Sequence, residues 1–138
     1  MGQAAIFETR GNQDCHVILR GGKQPNYSAA DVDATCAVLK AAGLREQVMI
    51  DVSHANSSKQ HQRQITVAAE VAQQIAAGDA RITGLMIESH LQEGRQDIVP
   101  GQPLAQGVSV TDACISMAQT VPVLEGLAAA VRARRQKA

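Results

Sequence analysis

Three short apolar runs punctuate the chain: residues 15–19 (CHVIL), 48–52 (VMIDV) and 82–87 (ITGLMI). Each is rich in β-branched or large aliphatic residues and bounded by turn formers, the pattern of strands covered on both faces. Each run is closed by a charged or titratable residue, Arg20, His54 and Glu88, spaced 34 positions apart twice over. Helical patterns fill the intervals. Ser28 with Asp31 makes a capping box, Val32, Cys36 and Leu39 follow on one face, and Gly43 stands where a helix stops. A second helix is predicted over 60–77, with Ile65, Ala68, Ala69, Ala72, Ile75 and Ala76 on one stripe and Gly78-Asp79 as its end. A third, over 113–135, carries Val123, Leu127 and Val131 and finishes in RARRQK, cations suited to a helix carboxyl end. Pro122 predicts a break or kink in it.

Strand, loop and helix repeated at this period imply βα units with right-handed crossovers and a parallel sheet, hence an α/β fold. A solenoid of similar period competes, but the repeats share nothing beyond their strand ends. The reading preferred is the carboxyl-terminal part, three βα units, of a (β/α)8 TIM barrel, which in full takes about 250 residues and eight strands. All of 1–138 then forms one partial-barrel domain, with 15–138 as the last three units. Residues 1–14, with alternation and a Gly-Asn turn, predict a small hairpin leading in. Residues 93–111, with two Pro and three Gly, form a long loop of the kind that is usually functional.

Thirteen Lys and Arg balance thirteen Asp and Glu, and the chain has one Phe, one Tyr and no Trp. That balance predicts neither nucleic acid nor an anionic membrane as a partner, and bases would find almost no stacking platform. No apolar stretch approaches the roughly 20 residues of a membrane helix, and no secretory leader is visible. Cys15, Cys36 and Cys114 show no metal-type spacing and read as reduced core fillers of a cytoplasmic protein.

The chemistry gathers after the strands. Arg20 leads into a Gly-Gly pair with Lys23 nearby; a guanidinium fork suits phosphate or carboxylate, though an arginine in a solvated turn fits as well. His54 is a candidate metal ligand or acid/base, with Asp51 or Ser53 near enough in sequence to fix its tautomer. Glu88 follows the third run, and Asp112 precedes the last helix, where it could equally be the N-cap. Brought to one face, His54, Glu88 and Asp112 would make a mixed N/O site suited to Mn²⁺, Fe²⁺, Co²⁺ or Zn²⁺. His90 is a candidate for the layer behind that site, His16 is expected to pack within its strand, and His61 to face solvent.

The strings GNQDCHVILRGGKQPNYS, VMIDVSHANSSKQ, GLMIESHLQEGRQ and GQPLAQGVSVTDACI resemble the carboxyl-terminal part of the class I 3-deoxy-D-arabino-heptulosonate 7-phosphate (DAHP) synthases, along essentially the whole chain. The resemblance implies a (β/α)8 barrel with a divalent metal, joining phosphoenolpyruvate to erythrose 4-phosphate with release of phosphate. It implies that Arg20 grips the phosphate of phosphoenolpyruvate; Lys23, by its place three residues on, is counted with it as substrate-binding. It assigns His54, Glu88 and Asp112 as metal ligands, with His54 and Asp112 also counted as catalytic. The family's cysteine ligand, a lysine and further arginines, all from earlier strands, match nothing in these residues, and Cys15, Cys36 and Cys114 lack that cysteine's context. The chain alone is therefore expected to lack synthase activity and, with uncovered strands, to form a homo-oligomer. The competing expectation is a non-catalytic, oligomerising partial-barrel module that retains phosphate or metal binding.

Overall fold

A computed structural model describes residues 2, 4–12 and 14–137. Its centre is a three-stranded parallel sheet, β1 (Val17–Leu19), β2 (Val48–Asp51) and β3 (Ile82–Met86), in the order β1-β2-β3. Val17, Ile18 and Leu19 pair with Val48, Met49 and Ile50, and Ile50 and Asp51 pair with Leu85 and Met86. Helix α1 (Ala29–Ala41) connects β1 to β2, and α2 (Arg63–Ala77) connects β2 to β3. A second, two-stranded parallel pair, β4 (Ser89–His90) with β5 (Ile115–Ser116), follows, and α3 (Met117–Arg135) closes the described chain.

Local chemistry accounts for these elements. The Ser28 hydroxyl accepts the Asp31 N–H while Asp31 accepts the Ser28 N–H, so α1 starts where its capping box predicts. At its far end Gly43 takes φ 70 and the Leu44 N–H reaches the Leu39 carbonyl, which stops the helix. Helix α2 ends at Gly78. Leu19, Val48, Ile50 and Ile82 form one core with Val32, Cys36 and Leu39 of α1, Val67, Val71 and Ile75 of α2, and Ala130 of α3. All three helices thus contribute to a single apolar core with the sheet.

Several expectations are corrected. The first strand begins at Val17, and Cys15 and His16 are exposed, so neither fills or packs in the core. The reason is tertiary: β1 has a sheet neighbour on one side alone, and of its residues only Leu19 is buried. Cys36 and Cys114 are buried as expected, and burial pushes both thiols up, away from the thiolate form. No strand forms among the described residues of 1–14, where Ile6 and Phe7 stand in solvent; residues 1, 3 and 13 of the expected hairpin lie outside the described set. The residues of α2 buried most deeply are Gln64, Val67, Ala68, Val71 and Ile75. The alanine stripe expected there is rotated toward α3, where Ile65, Ala69 and Ala72 line a groove of about 420 Å³ opposite Pro122 and Val123.

Helix α3 starts later than predicted, because Ser116, in a capping box with Gln119, is its N-cap and Asp112 is not. Pro122 does not end it; so near the amino end the missing N–H removes one bond, and the helix continues to Arg135. The 93–111 loop is tied down rather than structureless. Gly94 bridges Cys114, Arg95 bridges Ser109, and the Gln96 amide bonds the backbone of Ala105 and Val108.

At the opposite end of the sheet, Arg81 donates to Asp79 at 2.7 Å and to Asp33 at 2.6 Å. The Arg81 hydrogen bonds hold the Asp79 carboxyl below its usual range, against the opposing effect of burial. A depressed folded-state value means this contribution is present above the unfolded carboxylate value, about pH 4, and is lost as pH falls through the lower folded one. Arg81→Ala is therefore expected to cost about 1 kcal/mol near neutral pH. Urea midpoints measured down the acid limb should show this deficit shrinking; a deficit constant with pH would contradict the pairing.

Candidate metal centre

Three chain segments converge beyond the carboxyl ends of the strands. After Asp51 the chain leaves β2 through Val52, whose N–H still bonds the Met86 carbonyl, and enters the turns 53–59. His54 there adopts φ 46, a left-handed conformation uncommon outside glycine and of the kind that concentrates at functional sites. Its carbonyl is held by the Lys59 N–H at 2.7 Å and the Ser57 hydroxyl at 3.2 Å. Its imidazole Nδ1 lies 2.8 Å from Asp51 Oδ2, and Nε2 lies 3.7 Å from Glu88 Oε1.

Glu88 follows β3 and is fixed at both ends. Its N–H donates to Gln64 Oε1 at 2.8 Å, and its carbonyl accepts Gln64 Nε2 at 3.1 Å and the Ile115 N–H at 3.0 Å. Its carboxylate Oε2 accepts the Ser53 hydroxyl at 2.7 Å. Asp112 arrives from the other direction, on the exposed segment before β5. One ligand atom from each of His54, Glu88 and Asp112 lies within 4.8 Å of the others, a nitrogen and two carboxylate oxygens around one point. That donor set fits a borderline divalent cation better than Ca²⁺, which prefers oxygen throughout.

Arg20 reaches the same region from β1, its Nε 3.6 Å from Asp51 Oδ2 and its side chain 61% exposed. At the first glycine of the Gly-Gly pair the backbone passes close to the 53–59 turns. Gly21 takes φ 75, and a Cβ there would meet the Ala55 Cβ at 2.7 Å. Lys23 stands exposed in the following turn, joined to none of these groups by a hydrogen bond or ion pair among the described residues. His90 bonds the Gly107 carbonyl and is exposed, which ties it to the long loop and not to His54. His61 does not simply face solvent: its Nε2 lies 2.8 Å from Glu93, which Gln62 and Gln119 also bond. Those donors, the Gln62 amide foremost and His61 next, hold the Glu93 carboxyl below its usual range.

Two amides that the sequence pattern did not single out organise this end of the sheet. Gln64 is fully buried and clamps Glu88; the available signal was a polar residue at helical spacing from Val67, Ala68 and Val71. Asn56 is also fully buried. It donates to the Leu19 and Asp51 carbonyls at 3.0 and 2.7 Å and accepts the Asn26 N–H at 2.8 Å.

Comparison with known proteins bears on this arrangement. The family profile described as the DAHP synthetase I family matches residues 1–125. The chain is 58% identical over 134 residues to the Phe-sensitive phospho-2-dehydro-3-deoxyheptonate aldolase of Escherichia coli K12, covering 97% of this chain and 38% of that protein. It is 56% identical over 140 residues to the tyrosine-inhibited aldolase of Schizosaccharomyces pombe, covering 98% and 38%. The solved structure of the aldolase from Francisella tularensis SCHU S4 superposes with a TM-score of 0.88 at 51% identity, covering 94% of this chain and 38% of that one. The chain thus spans about 38% of the length of these relatives. By sequence profile, by identity and by fold, the chain belongs to the DAHP synthetase I family.

Proposed function

We propose that the chain forms the carboxyl-terminal part of a (β/α)8 barrel that condenses phosphoenolpyruvate with erythrose 4-phosphate, and that His54, Glu88 and Asp112 hold its divalent metal, Mn²⁺, Fe²⁺, Co²⁺ or Zn²⁺. The observation that carries the reading is the convergence of those three ligand atoms within 4.8 Å, beyond the carboxyl ends of β2 and β3, where such barrels keep their chemistry. The consecutive parallel order β1-β2-β3, with α1, α2 and α3 sharing one core with it, supports an arc of a barrel. Val17 and Ile18, exposed on β1, offer a surface for further strands or for other copies of the chain.

His54, Glu88 and Asp112 would hold the cation, which would supply Lewis-acid polarisation of the aldehyde oxygen of erythrose 4-phosphate. The remaining work falls to the protein. Arg20, exposed at the end of β1 and close to His54 through Asp51, offers its fork to the phosphate of phosphoenolpyruvate, with Lys23 adding charge beside it. Anchoring that phosphate places C3 of phosphoenolpyruvate for attack on the aldehyde carbon, after which water adds at C2 and phosphate departs. Ser53 and Gln64 keep Glu88 in place, and Asp112 closes the site from the loop.

The test is a titration of the chain with Mn²⁺, paired with an assay of phosphoenolpyruvate loss in the presence of erythrose 4-phosphate. One Mn²⁺ per chain is expected, weakened about tenfold or more by Glu88→Gln or Asp112→Asn. Unchanged binding in the double variant overturns the site. The chain alone is expected to show no turnover, because Arg20 and Lys23 are few cations for two phosphorylated substrates; turnover near that of a normal enzyme overturns that part of the reading.

A further inference from the structure

The Asp51 carboxylate is 1% exposed, yet no step above uses it. A charge so deeply placed is retained only where hydrogen bonds and partners repay its desolvation. Both of its oxygens are occupied. Oδ1 accepts the Ser53 N–H at 2.8 Å, which fixes the carboxylate at the end of β2. Oδ2 faces two groups at once, His54 Nδ1 at 2.8 Å and Arg20 Nε at 3.6 Å.

An ionised carboxylate only accepts hydrogen bonds, so the ring nitrogen turned toward it carries the hydrogen. The lone pair of a neutral imidazole is then on Nε2, the atom that faces Glu88. Ser53 does not compete for the ring, since its hydroxyl is given to Glu88 and its N–H to Asp51. The left-handed backbone at His54 accompanies this contact, which turns the ring back toward a residue three positions earlier.

We propose that Asp51 is the positioning residue of the site: through one oxygen it locks His54 as the Nδ1–H tautomer, with Nε2 open to a cation, and tethers the Arg20 guanidinium beside it. A single buried carboxylate thereby sets the spacing between the group that meets the metal and the group that meets a phosphate. The assignment rests on the metal reading above, and its test separates the two.

Asp51→Asn is nearly isosteric. Its side-chain oxygen keeps the Ser53 N–H, which turns the NH₂ toward Nδ1; a donor there moves the ring hydrogen to Nε2 and closes that atom to metal. Long-range ¹H–¹⁵N NMR of the ¹⁵N-histidine-labelled, metal-free chain at about pH 8, where an ordinary imidazole is neutral, reads the tautomer directly. Wild type is expected to show Nδ1–H at His54. Asp51→Asn is expected to show Nε2–H and to bind Mn²⁺ about 10- to 100-fold more weakly.

A wild-type spectrum with the hydrogen on Nε2 overturns the proposal, and that result needs no variant to fold. Wild-type Mn²⁺ affinity in Asp51→Asn, alongside its loss in His54→Ala, overturns it while leaving the metal site intact. Undiminished Mn²⁺ binding in His54→Ala sinks the metal reading instead, and the tautomer then decides alone whether Asp51 holds the ring.

Discussion

Asn56→Ala is expected to lower the unfolding free energy by about 3–5 kcal/mol, a large share of what a domain of this size has. The side chain is fully buried, and its amide nitrogen and oxygen together bond the backbone of three segments. Leu19 and Asp51 are the last residues of β1 and β2; the Leu19 carbonyl still faces β2 in the parallel pairing, whereas the Asp51 carbonyl lies at the end of the ladder. The Asn56 amide bridges both, and its oxygen takes the Asn26 N–H. Asn26 in turn accepts the Gly21 N–H at 2.6 Å, so the turn that carries Arg20 is fastened to the turn that carries His54 through two amides. Alanine strips three bonds and leaves the Asp51 carbonyl and the Asn26 N–H without a partner, each costing about 1–3 kcal/mol less whatever water enters, while the Leu19 carbonyl loses its second bond. The urea midpoint, with unchanged slope, reads the loss. Ser57→Ala is the comparison, since its buried hydroxyl makes one bond, to the His54 carbonyl, and should cost about 1 kcal/mol. Equal small losses in the two variants would show that Asn56 is not the clasp described.

The difference between what the sequence shows and what it hides follows from what each residue type must satisfy. A buried strand hosts a charge only where partners offset its desolvation, as at Asp51, so Arg20, His54 and Glu88 mark strand ends, and the βα reading and the converging residues follow from that. Gly43 and Gly78 stop helices because each needs a positive φ, a local requirement visible without tertiary structure. Cys15 and His16 look like strand residues by composition; whether the start of β1 is covered depends on a neighbour that local pattern does not reveal. Alanine fits either face of a helix, which is why sequence groups Ala69 and Ala72 with Ala68 and Ile75 on one stripe, while in the structure Ala69 and Ala72 lie along the groove to α3 and Ala68 and Ile75 belong to the core. Asp112 satisfied two readings, cap and ligand, and the cap fell to Ser116 four residues on. Asn56 and Gln64 were hidden for the opposite reason. A side-chain amide is ordinarily solvated, and only the folded chain brings together the carbonyls and N–H groups that keep these two inside.

Gln64→Leu extends that argument from stability to the site. Helix α2 begins beside the end of β3, where Glu88 has passed the last paired residue, Met86, and lost its strand neighbour. The Gln64 amide takes the neighbour's place, accepting the Glu88 N–H and donating to its carbonyl. Leucine fills similar volume with no polar atom. The Glu88 carbonyl keeps the Ile115 N–H, but the part-buried Glu88 N–H is left unpaired, and the expected loss is about 2–3 kcal/mol. With the Gln64 clamp gone, Glu88 is held by Ser53 at its carboxylate and by Ile115 at its carbonyl alone, and Mn²⁺ affinity is expected to fall about tenfold. Val67→Ala, at another fully covered position of the same helix, should cost a comparable amount of stability through a cavity while leaving Glu88 clamped. Urea unfolding and Mn²⁺ titration of the two variants separate the contributions. If Gln64→Leu and Val67→Ala lose stability alike and bind Mn²⁺ alike, the amide supports the fold and does nothing further for the metal site.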